Sequence, residues 1–338
     1  MIGIRADGNG RIGLGHVMRC LSVADKIKAL GEQVIFFVAE ESPLRLIQER
    51  GYEALCLSSN WNCLEEETGL LLQKLMEHEV SLLLVDSYFV TEMYLQALKK
   101  QVKVAYLDDV NAFPYPVDML INYSVYAFDV PYVKKEGCEY LLGTAYAPLR
   151  EQFERDKLPP KAEQDCILVL SGGTDPFGVA EEVPARILEQ KELSDYRVAV
   201  VLGAEVTPAA RLADNPRVTF YKAVTDMAGL MRKATFGVSA GGSSLYELCA
   251  CQVPTVTYSF ADNQFGNVEK FHSLQIMPYA GDLRKHGEQV FDRLVKQLAD
   301  FHRESQKNRL TAMGQLVDGK GALRIAERLI SLAHNTCV

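Results

Sequence analysis

The sequence predicts an α/β fold made of two parallel-sheet domains, and three observations support this. Short apolar runs alternate with segments whose apolar residues recur at helical spacing. The runs are continuously apolar, which is typical of strands covered by helices on both faces. The chain has 338 residues, which is longer than a domain with a single hydrophobic core usually is and suits two domains. Alternation of this kind predicts parallel strands joined by crossover helices.

The N-terminal half supplies the first series of elements. Strands are expected near 2–6, 33–38, 53–57, 81–86, 102–107 and 118–122. Helical spacing of apolar residues fills the intervals, most clearly at 16–30 and 64–78. A polar, proline-bearing stretch from about 147 to 164 then predicts a junction between domains.

The C-terminal half repeats the pattern. It opens with an apolar strand, a glycine turn and a helix from about residue 178, and a second helix starts at about 243. Strands are expected within CILVLSGG at 166–173, YRVAVVLG at 196–203, RVTFYKA at 217–223, ATFGVSA at 234–240 and VPTVTYS at 253–259. Residues 287–334 predict two or three further helices. We therefore expect domains at 1–150 and 151–338 that face each other across a cleft, with the last helix returning to the first domain. Ligands of such sheets bind outside the carboxyl ends of the strands.

Composition excludes several classes of function. The chain carries 36 basic and 44 acidic residues, a net charge of −8, without a basic block that would bind nucleic acid. Its apolar runs are too short to cross a bilayer, and no leader precedes the first strand. The eight cysteines form no CxxC pair and are expected to be reduced thiols rather than metal ligands. We expect a cytoplasmic protein, monomeric or weakly homo-oligomeric, with no nucleic-acid partner and no membrane insertion.

The first glycine-rich turn has the GxGxxG spacing at Gly8, Gly10 and Gly13. A dinucleotide-binding loop would need an acidic residue about 20 positions further on. The next strand reaches Glu40 only 27 residues after Gly13, and a further Gly15 lengthens the loop. A nicotinamide-dependent oxidoreductase is therefore disfavoured, although it remains an alternative.

The end of the same turn predicts a reactive histidine. Gly13 and Gly15 would let the backbone approach a ligand closely, and His16 would lie in the first turn of a helix. A helix N-terminus favours neutral imidazole, the form that a general base needs. A histidine that merely caps or packs the helix start fits the spacing equally well. Asp7 could orient His16 or a water, or cap the loop, while Arg19 could pair with Asp7 or reach a phosphate.

Three motifs together resemble one known family: RADGNGRIGLGHVMRCLSVA at 5–24, LVLSGGTDP at 168–176 and SAGGSSLYELCACQVPTVTYSFADNQ at 239–264. They look like the UDP-2,4-diacetamido-2,4,6-trideoxy-β-L-altropyranose hydrolases of pseudaminic acid biosynthesis, a family that includes spore-coat polysaccharide proteins. This family is similar in build to the UDP-GlcNAc transferase of peptidoglycan synthesis. The resemblance implies a GT-B-like fold of two Rossmann-type, doubly wound domains.

The resemblance also implies a reaction. It is the hydrolysis, with inversion and without metal or cofactor, of the bond between the anomeric carbon and the diphosphate, releasing UDP and a free sugar. His16 occupies the position of the family's base, which acts on water, and Asp7 and Asn263 are its expected catalytic companions.

The remaining expected contacts divide by ligand group. Backbone N–H groups at helix starts suit a diphosphate, and the residues so placed are Gly172, Gly173, Gly241, Gly242, Ser243 and Ser244. Glu247 would hold the ribose, Asn263 and Gln264 the sugar, and Asp86 and Tyr88 would face the sugar from the first domain. Each has a plainer alternative: packing glycines, a solvated carboxylate, or polar surface around a cap by Asp262.

Two further details complete the expectation. Ser87 stands where the family often has histidine, which leaves the sugar specificity open. Asp108 and Asp109 are interpreted as polar residues at a strand end, not as a metal site. The same fold could instead serve a glycosyltransferase that uses a UDP-amino sugar and a hydroxyl acceptor, or a non-catalytic binder.

Overall fold

The computed structural model describes residues 1–161, 165–203 and 205–334. The end of the predicted junction stretch, 162–164, and Cys337 lie outside these residues. The chain divides into two compact units: unit 1 consists of residues 1–150 and 320–338, and unit 2 of residues 151–319.

The first part of unit 1 alternates strands with helices and contains seven strands. Its elements are β1 Ile2–Ala6, α1 Gly15–Ala29, β2 Val34–Val38, α2 Leu44–Glu49, β3 Glu53–Cys56, α3 Thr68–Glu77, β4 Leu82–Asp86, α4 Glu92–Lys99, β5 Lys103–Leu107, β6 Met119–Asn122 and β7 Glu139–Leu142. All strand pairs are parallel, in the order β3-β2-β1-β4-β5-β6-β7.

Unit 2 contains a second parallel sheet. Its elements are β8 Cys166–Leu170, α5 Val179–Glu189, β9 Arg197–Val201, β10 Val218–Tyr221, α6 Met227–Lys233, β11 Phe236–Ala240, α7 Ser244–Ala250, β12 Thr255–Ser259, α8 Asp262–Ser273, β13 Tyr279–Asp282, α9 Leu283–His286, α10 Glu288–Arg303 and α11 Lys307–Leu316. The strand order is β10-β9-β8-β11-β12-β13. Counted from its own first strand, each sheet contains the doubly wound order 3-2-1-4-5-6, and the sheet of unit 1 adds a seventh strand beside the sixth.

The final helix, α12 Gly321–His334, belongs to unit 1. Its buried residues Ala322, Ile325 and Leu329 recur at helical spacing and share a core with Val17 and Leu21 of α1. The start of α12 packs so closely on the backbone of Ala147 that a Cβ at Gly321 would lie 2.2 Å from the Ala147 carbonyl oxygen. Helix α12 thus covers the helix that begins at the first glycine turn.

The predicted fold class is confirmed, with two strands beyond those expected. Strands β7 and β13 are short and interrupted by polar or glycine residues, which weakens the strand pattern. The seven described cysteines are free thiols. Within the described part of the chain, no helix is long and apolar enough to span a membrane.

Candidate active site

The site in unit 1 lies where the strand order of its sheet reverses. Strands β1 and β4 are neighbours there, and Ala6 pairs with Asp86. The chain leaves these strands in opposite directions across the sheet, which opens a crevice outside their carboxyl ends. Asp7 and Ser87, which follow the paired residues, therefore enter the same crevice.

The turn from β1 into α1 is closed by its own backbone and by Asn9. Asn9 Oδ1 accepts the N–H groups of Arg11 (2.9 Å) and Ile12 (3.1 Å), and its carbonyl accepts from Gly13 N (2.9 Å). Gly13 has a φ of +73°, which favours glycine. The helix begins at Gly15, so His16 is its second residue, as the sequence predicts.

The His16 imidazole is buried and held by an acidic side chain. Its Nδ1 lies 2.6 Å from Asp86 Oδ1, and only 9% of the side chain is exposed. The Tyr88 ring meets the imidazole edge to face, with centroids 4.7 Å apart. The ring orientation of His16 is thus fixed from two sides.

Asp86 is fully buried and bound by Arg19 through both oxygens. Arg19 Nε lies 2.6 Å from Oδ2 and Arg19 Nη2 lies 2.5 Å from Oδ1. Burial alone would raise the pKa of this carboxyl, but Arg19 and then His16 outweigh it, and the pKa of Asp86 is lowered below its usual value. Asp86 is therefore ionised at neutral pH.

This ionised carboxylate determines the tautomer of His16. A carboxylate only accepts hydrogen bonds, so the 2.6 Å contact with Asp86 Oδ1 favours a hydrogen on Nδ1. Arg19 Nη2 also lies 3.0 Å from Nδ1, but it donates to the same oxygen of Asp86 at 2.5 Å. In the neutral ring the lone pair then lies on Nε2, away from Asp86. The arrangement is chemically equipped to accept a proton at Nε2.

In this structure Asp86, and not Asp7, is the hydrogen-bond partner of His16. Asp7 Oδ1 accepts the N–H of Ala39 (2.8 Å), and Oδ2 lies 2.6 Å from Arg5 Nη1. The physical reason is the buried Arg5 guanidinium two residues earlier on the same strand, which attracts this carboxylate. Burial nevertheless raises the pKa of Asp7, since it outweighs the attraction of Arg5. Arg19 likewise pairs with Asp86 rather than with Asp7.

A small, partly open pocket adjoins the histidine. Polar groups form one part of its lining and apolar side chains the other. The lining residues are Asp7, Ile12, His16, Asp86, Ser87, Tyr88 and Phe89. Ser87 does not point freely into it, because its Oγ accepts the N–H of Phe89 (3.2 Å).

Sequence reasoning missed the buried ion pair beneath this pocket. Arg5 Nε and Nη2 donate to the two oxygens of Glu67 at 2.6 and 2.8 Å. Tyr94 Oη (2.9 Å) and Ser59 Oγ (2.5 Å) donate to the same carboxylate. An arginine inside a strand whose residues are all buried requires such a partner, and that was the available signal.

The acidic pair after β5 has two different environments. Asp108 accepts hydrogen bonds from the N–H of Val110 (3.0 Å) and from Tyr115 Oη (2.8 Å). Asp109 accepts from Tyr88 Oη (3.2 Å), and burial raises the pKa of Asp109. Among the described residues, no group of three or more His, Cys, Asp or Glu side chains could hold a metal ion.

In unit 2, Gly172 and Gly173 form the exposed turn after β8, and Gly172 has a φ of +84°. The N–H groups at the start of the next helix are not open to a diphosphate, contrary to expectation. Asp175 Oδ1 accepts from Val179 N (2.7 Å) and Oδ2 from Ala180 N (2.9 Å). Asp175 therefore caps α5, and only the glycine turn itself stays accessible.

The turn after β11 contains Gly241, Gly242 and Ser243, and Ser244 begins α7 without a side-chain cap. A Cβ at Gly241 would lie 2.6 Å from Val268 Cγ1, whereas one at Gly242 would meet nothing within 4 Å. Gly241 is therefore needed for packing, and Gly242 presents its backbone outward.

The helix after β12 holds this turn through a residue that sequence reasoning missed. Asn267 Nδ2 donates to Gly241 O (3.2 Å), and Asn267 Oδ1 accepts from Tyr246 Oη (2.7 Å). Gln264 Oε1 accepts the N–H of Phe260 (2.9 Å), so one end of its amide closes a turn. Asn263 is exposed in the first turn of α8.

The sequence offers plainer alternatives for two carboxylates here: a helix cap for Asp262 and a solvated side chain for Glu247. Asp262 does not cap α8 but pairs with Arg284 Nη1 (2.8 Å). Glu247 is half-buried on α7 rather than fully solvated. Burial and then the Glu247 carboxylate raise the pKa of Cys251 to about 12.

Curated relatives match the chain over different lengths. The spore coat polysaccharide biosynthesis protein SpsG of Bacillus subtilis is 25% identical over 98% of this chain and 98% of that protein. A Helicobacter pylori protein named pseudaminic acid cytidylyltransferase and UDP-2,4-diacetamido-2,4,6-trideoxy-β-L-altropyranose hydrolase is 24% identical over 78% of this chain and 45% of its own length. The hydrolase of that name from Campylobacter jejuni is 27% identical over 56% of this chain and 66% of its own length. The chain thus spans less than two thirds of the two relatives named as hydrolases.

Solved structures agree on the fold. MurG of Acinetobacter baumannii superposes with a TM-score of 0.68 at 14% identity, covering 98% of this chain and 99% of that one. The glycotransferase of kitacinnamycin gives 0.69 at 16% identity, covering 98% of both chains. No protein-family model matches the chain. The GT-B-like fold and the predicted resemblance to the hydrolase family are confirmed.

Proposed function

We propose that the protein hydrolyses a UDP-linked 2,4-diacetamido-2,4,6-trideoxy sugar of the β-L-altropyranose type. The observation that carries this proposal is His16 at the strand crossover, its Nδ1 bound to the ionised Asp86. Two relatives bear this activity in their names, which supports the choice of substrate. The products are UDP and the free sugar, as pseudaminic acid synthesis requires.

In the proposed reaction a water molecule attacks the anomeric carbon while His16 Nε2 takes its proton. The new bond joins the water oxygen to the anomeric carbon, and the bond from that carbon to the diphosphate oxygen breaks. UDP leaves with the electron pair. Attack on the face opposite UDP inverts the anomeric centre. Asp86 stabilises the imidazolium that forms, and Arg19 keeps Asp86 ionised.

The substrate contacts are proposals of the same kind. The turn at 241–244 offers the N–H groups of Gly242, Ser243 and Ser244 to the diphosphate, assisted by Gly172 and Gly173. The N–H of Gly241 donates to Tyr258 O (3.0 Å), so Gly241 contributes through its close packing. Glu247 holds the ribose, and Asn263 and Gln264 bind the acetamido groups. Tyr88, 39% exposed and packed against His16, contacts the sugar. No step in this mechanism uses a metal or cofactor.

The test is UDP release from purified protein and the UDP-sugar alone. We expect release at enzymatic rates, and in H₂¹⁸O the label should enter the sugar and not UDP. His16→Ala should lower the rate about 10³-fold, because the base is removed. His78→Ala, which changes a histidine at the end of α3, is the matched control and should leave the rate unchanged.

A glycosyltransferase of the same fold would behave differently. It would release UDP only after a hydroxyl acceptor is added, and that outcome would replace the hydrolase by the alternative. Label recovered in UDP would contradict attack at the anomeric carbon. The cytoplasmic location, the domain limits and the monomeric or weakly oligomeric state remain predictions.

A further inference from the structure

Two aromatic side chains beside the His16 pocket have no part in the mechanism above. Trp61 follows β3 and Phe89 follows β4, and their rings meet edge to face with centroids 5.1 Å apart. Phe89 is 38% exposed and lines the pocket together with Ile12 and Tyr88. Trp61 is half-buried behind it. We call Trp61 and Phe89 the aromatic wall.

The segment before Trp61 is anchored on the buried ion pair. Ser59 N donates to Ala39 O (3.1 Å), and Ser59 Oγ donates to Glu67 Oε2 (2.5 Å). Glu67 is itself fixed by Arg5. The position of Trp61 is therefore determined two residues away by contacts that are shielded from water.

The segment after Phe89 is anchored on the same short stretch of chain. Thr91 Oγ1 donates to Glu65 and accepts the N–H of Tyr94, which caps α4. Tyr94 Oη in turn donates to Glu67. The chain next to each ring is thus held by hydrogen bonds, and the two rings pack on each other, which lowers the entropy cost of binding against them.

The pocket therefore joins a polar part, formed by His16 and the carboxylates, to an apolar part. The proposed substrate has the same division. Its diphosphate linkage and ring oxygen are polar, whereas the 6-deoxy carbon and both acetamido groups end in methyl groups. A methyl group placed against an ordered ring leaves water without losing any hydrogen bond.

We propose that the aromatic wall determines specificity: Phe89, supported by Trp61, receives a methyl group of the deoxy acetamido sugar. This inference rests on the proposed function and names the part of the sugar that unit 1 recognises. It explains why Phe89 stays exposed beside the pocket with the half-buried Trp61 against it. UDP-N-acetylglucosamine, which has a hydroxymethyl group at C6 and a single acetamido group, offers fewer methyl groups to this wall.

The first experiment uses the fluorescence of Trp61, which is the only tryptophan of the chain. His16→Ala protein, which should turn the substrate over about 10³-fold more slowly, is titrated with the UDP-diacetamido-trideoxy sugar and separately with UDP. We expect the emission to change with the UDP-sugar and to stay constant with UDP. Equal responses to both, or calorimetric binding of the UDP-sugar without any emission change, would overturn the proposal.

The second experiment uses kinetics. Phe89→Ala should raise KM about 10-fold for the trideoxy substrate with little change in kcat, since a methyl contact in an apolar pocket discriminates on this scale. The preference over UDP-N-acetylglucosamine, measured by KM or by competitive inhibition, should fall equally. Trp61→Phe should keep most of the preference. Met76→Ala, an exposed apolar change on α3, is the control.

The outcomes separate this inference from the function on which it rests. Absence of UDP release from the wild type, or absence of binding by calorimetry, removes the proposed function. Normal UDP release with a preference that is identical in Phe89→Ala and Met76→Ala removes the aromatic wall alone.

Discussion

The two sheets share one strand order, yet the turns at their crossover points differ in chemistry. In unit 1, the strands end at ionised side chains, with Asp86 bound by both Arg19 and His16. In unit 2, the corresponding turns are glycines that offer backbone, at Gly172 and Gly242. The topology therefore determines where a ligand can bind, and the residues of the turns determine what is done to it.

Loop length separates these turns only in part. The chain between β1 and α1 covers residues 7–14, and the chain between β8 and α5 is equally long, at residues 171–178. Between β11 and α7 only residues 241–243 intervene, and the turn packs directly on α8. The residue types of the turns therefore matter more than their length.

The largest expected effect comes from neutralising Asp86, the ionised carboxylate that has no counterpart in the glycine turns of unit 2. Asp86→Asn should lower kcat about 10³-fold or more, because an amide can donate to Nδ1 and move the hydrogen of His16 to Nε2. UDP affinity measured by calorimetry should stay the same. Asp7→Asn, which keeps an acceptor for Ala39 N–H, is the matched control. Equal losses in both variants would mean that Asp86 has no special role.

The support of the unit 1 site can be broken separately. Arg5→Met leaves Glu67 and Asp7 buried without their cation and should lower the free energy of unfolding by about 3–5 kcal/mol. Arg45→Met removes an exposed pair with Glu49 and should cost at most about 1 kcal/mol. Urea titration of both variants measures the contrast. Similar midpoints would show that the buried pair contributes no more than a surface pair.

In unit 2 the two adjacent glycines provide their own comparison. Gly241→Ala should destabilise by about 1–3 kcal/mol, because its Cβ would overlap Val268 and the backbone of Gln264. Gly242→Ala should change the free energy of unfolding by less than about 0.5 kcal/mol. It should nevertheless weaken UDP binding if the diphosphate lies against this backbone. Unchanged UDP affinity in Gly242→Ala would remove this turn from the proposed site.

The smallest effect concerns pH and Asp109. Burial, and then the neighbouring carboxylates Asp86 and Asp108, raise the pKa of Asp109 against the attraction of Arg19. The unfolded chain has an Asp pKa of about 3.9, and the folded protein has a higher one. The free energy of unfolding therefore falls as the pH rises from the unfolded to the folded pKa of Asp109. Asp109→Asn should therefore melt higher than the wild type at pH 7, and the difference should shrink below about pH 4. A wild type that melts higher at pH 7 would contradict this.

Much of the fold could be predicted from sequence because strand, glycine turn and helix recur in both halves. Strands β7 and β13 were not predicted because each is a four-residue edge strand, the first beginning with Glu139 and the second containing Gly281. His16 and Asp86 were each identified, but not their pairing. Proximity along the chain favoured Asp7 as the partner, whereas the register of β1 with β4 brings in Asp86 from 70 positions away. Sheet register is a long-range property that a local pattern does not contain.

Helix α12 has a consequence for the order in which the protein matures. The helix that carries His16 is covered by residues 321–334, which a ribosome makes only after all of unit 2. Until then Val17 and Leu21 lack part of their packing, so the first unit to be translated is the last to be completed. A nascent chain arrested before residue 320 would hold a finished second unit and an unfinished first one. The helix that carries His16 can therefore be fully packed only after the whole chain has been synthesised.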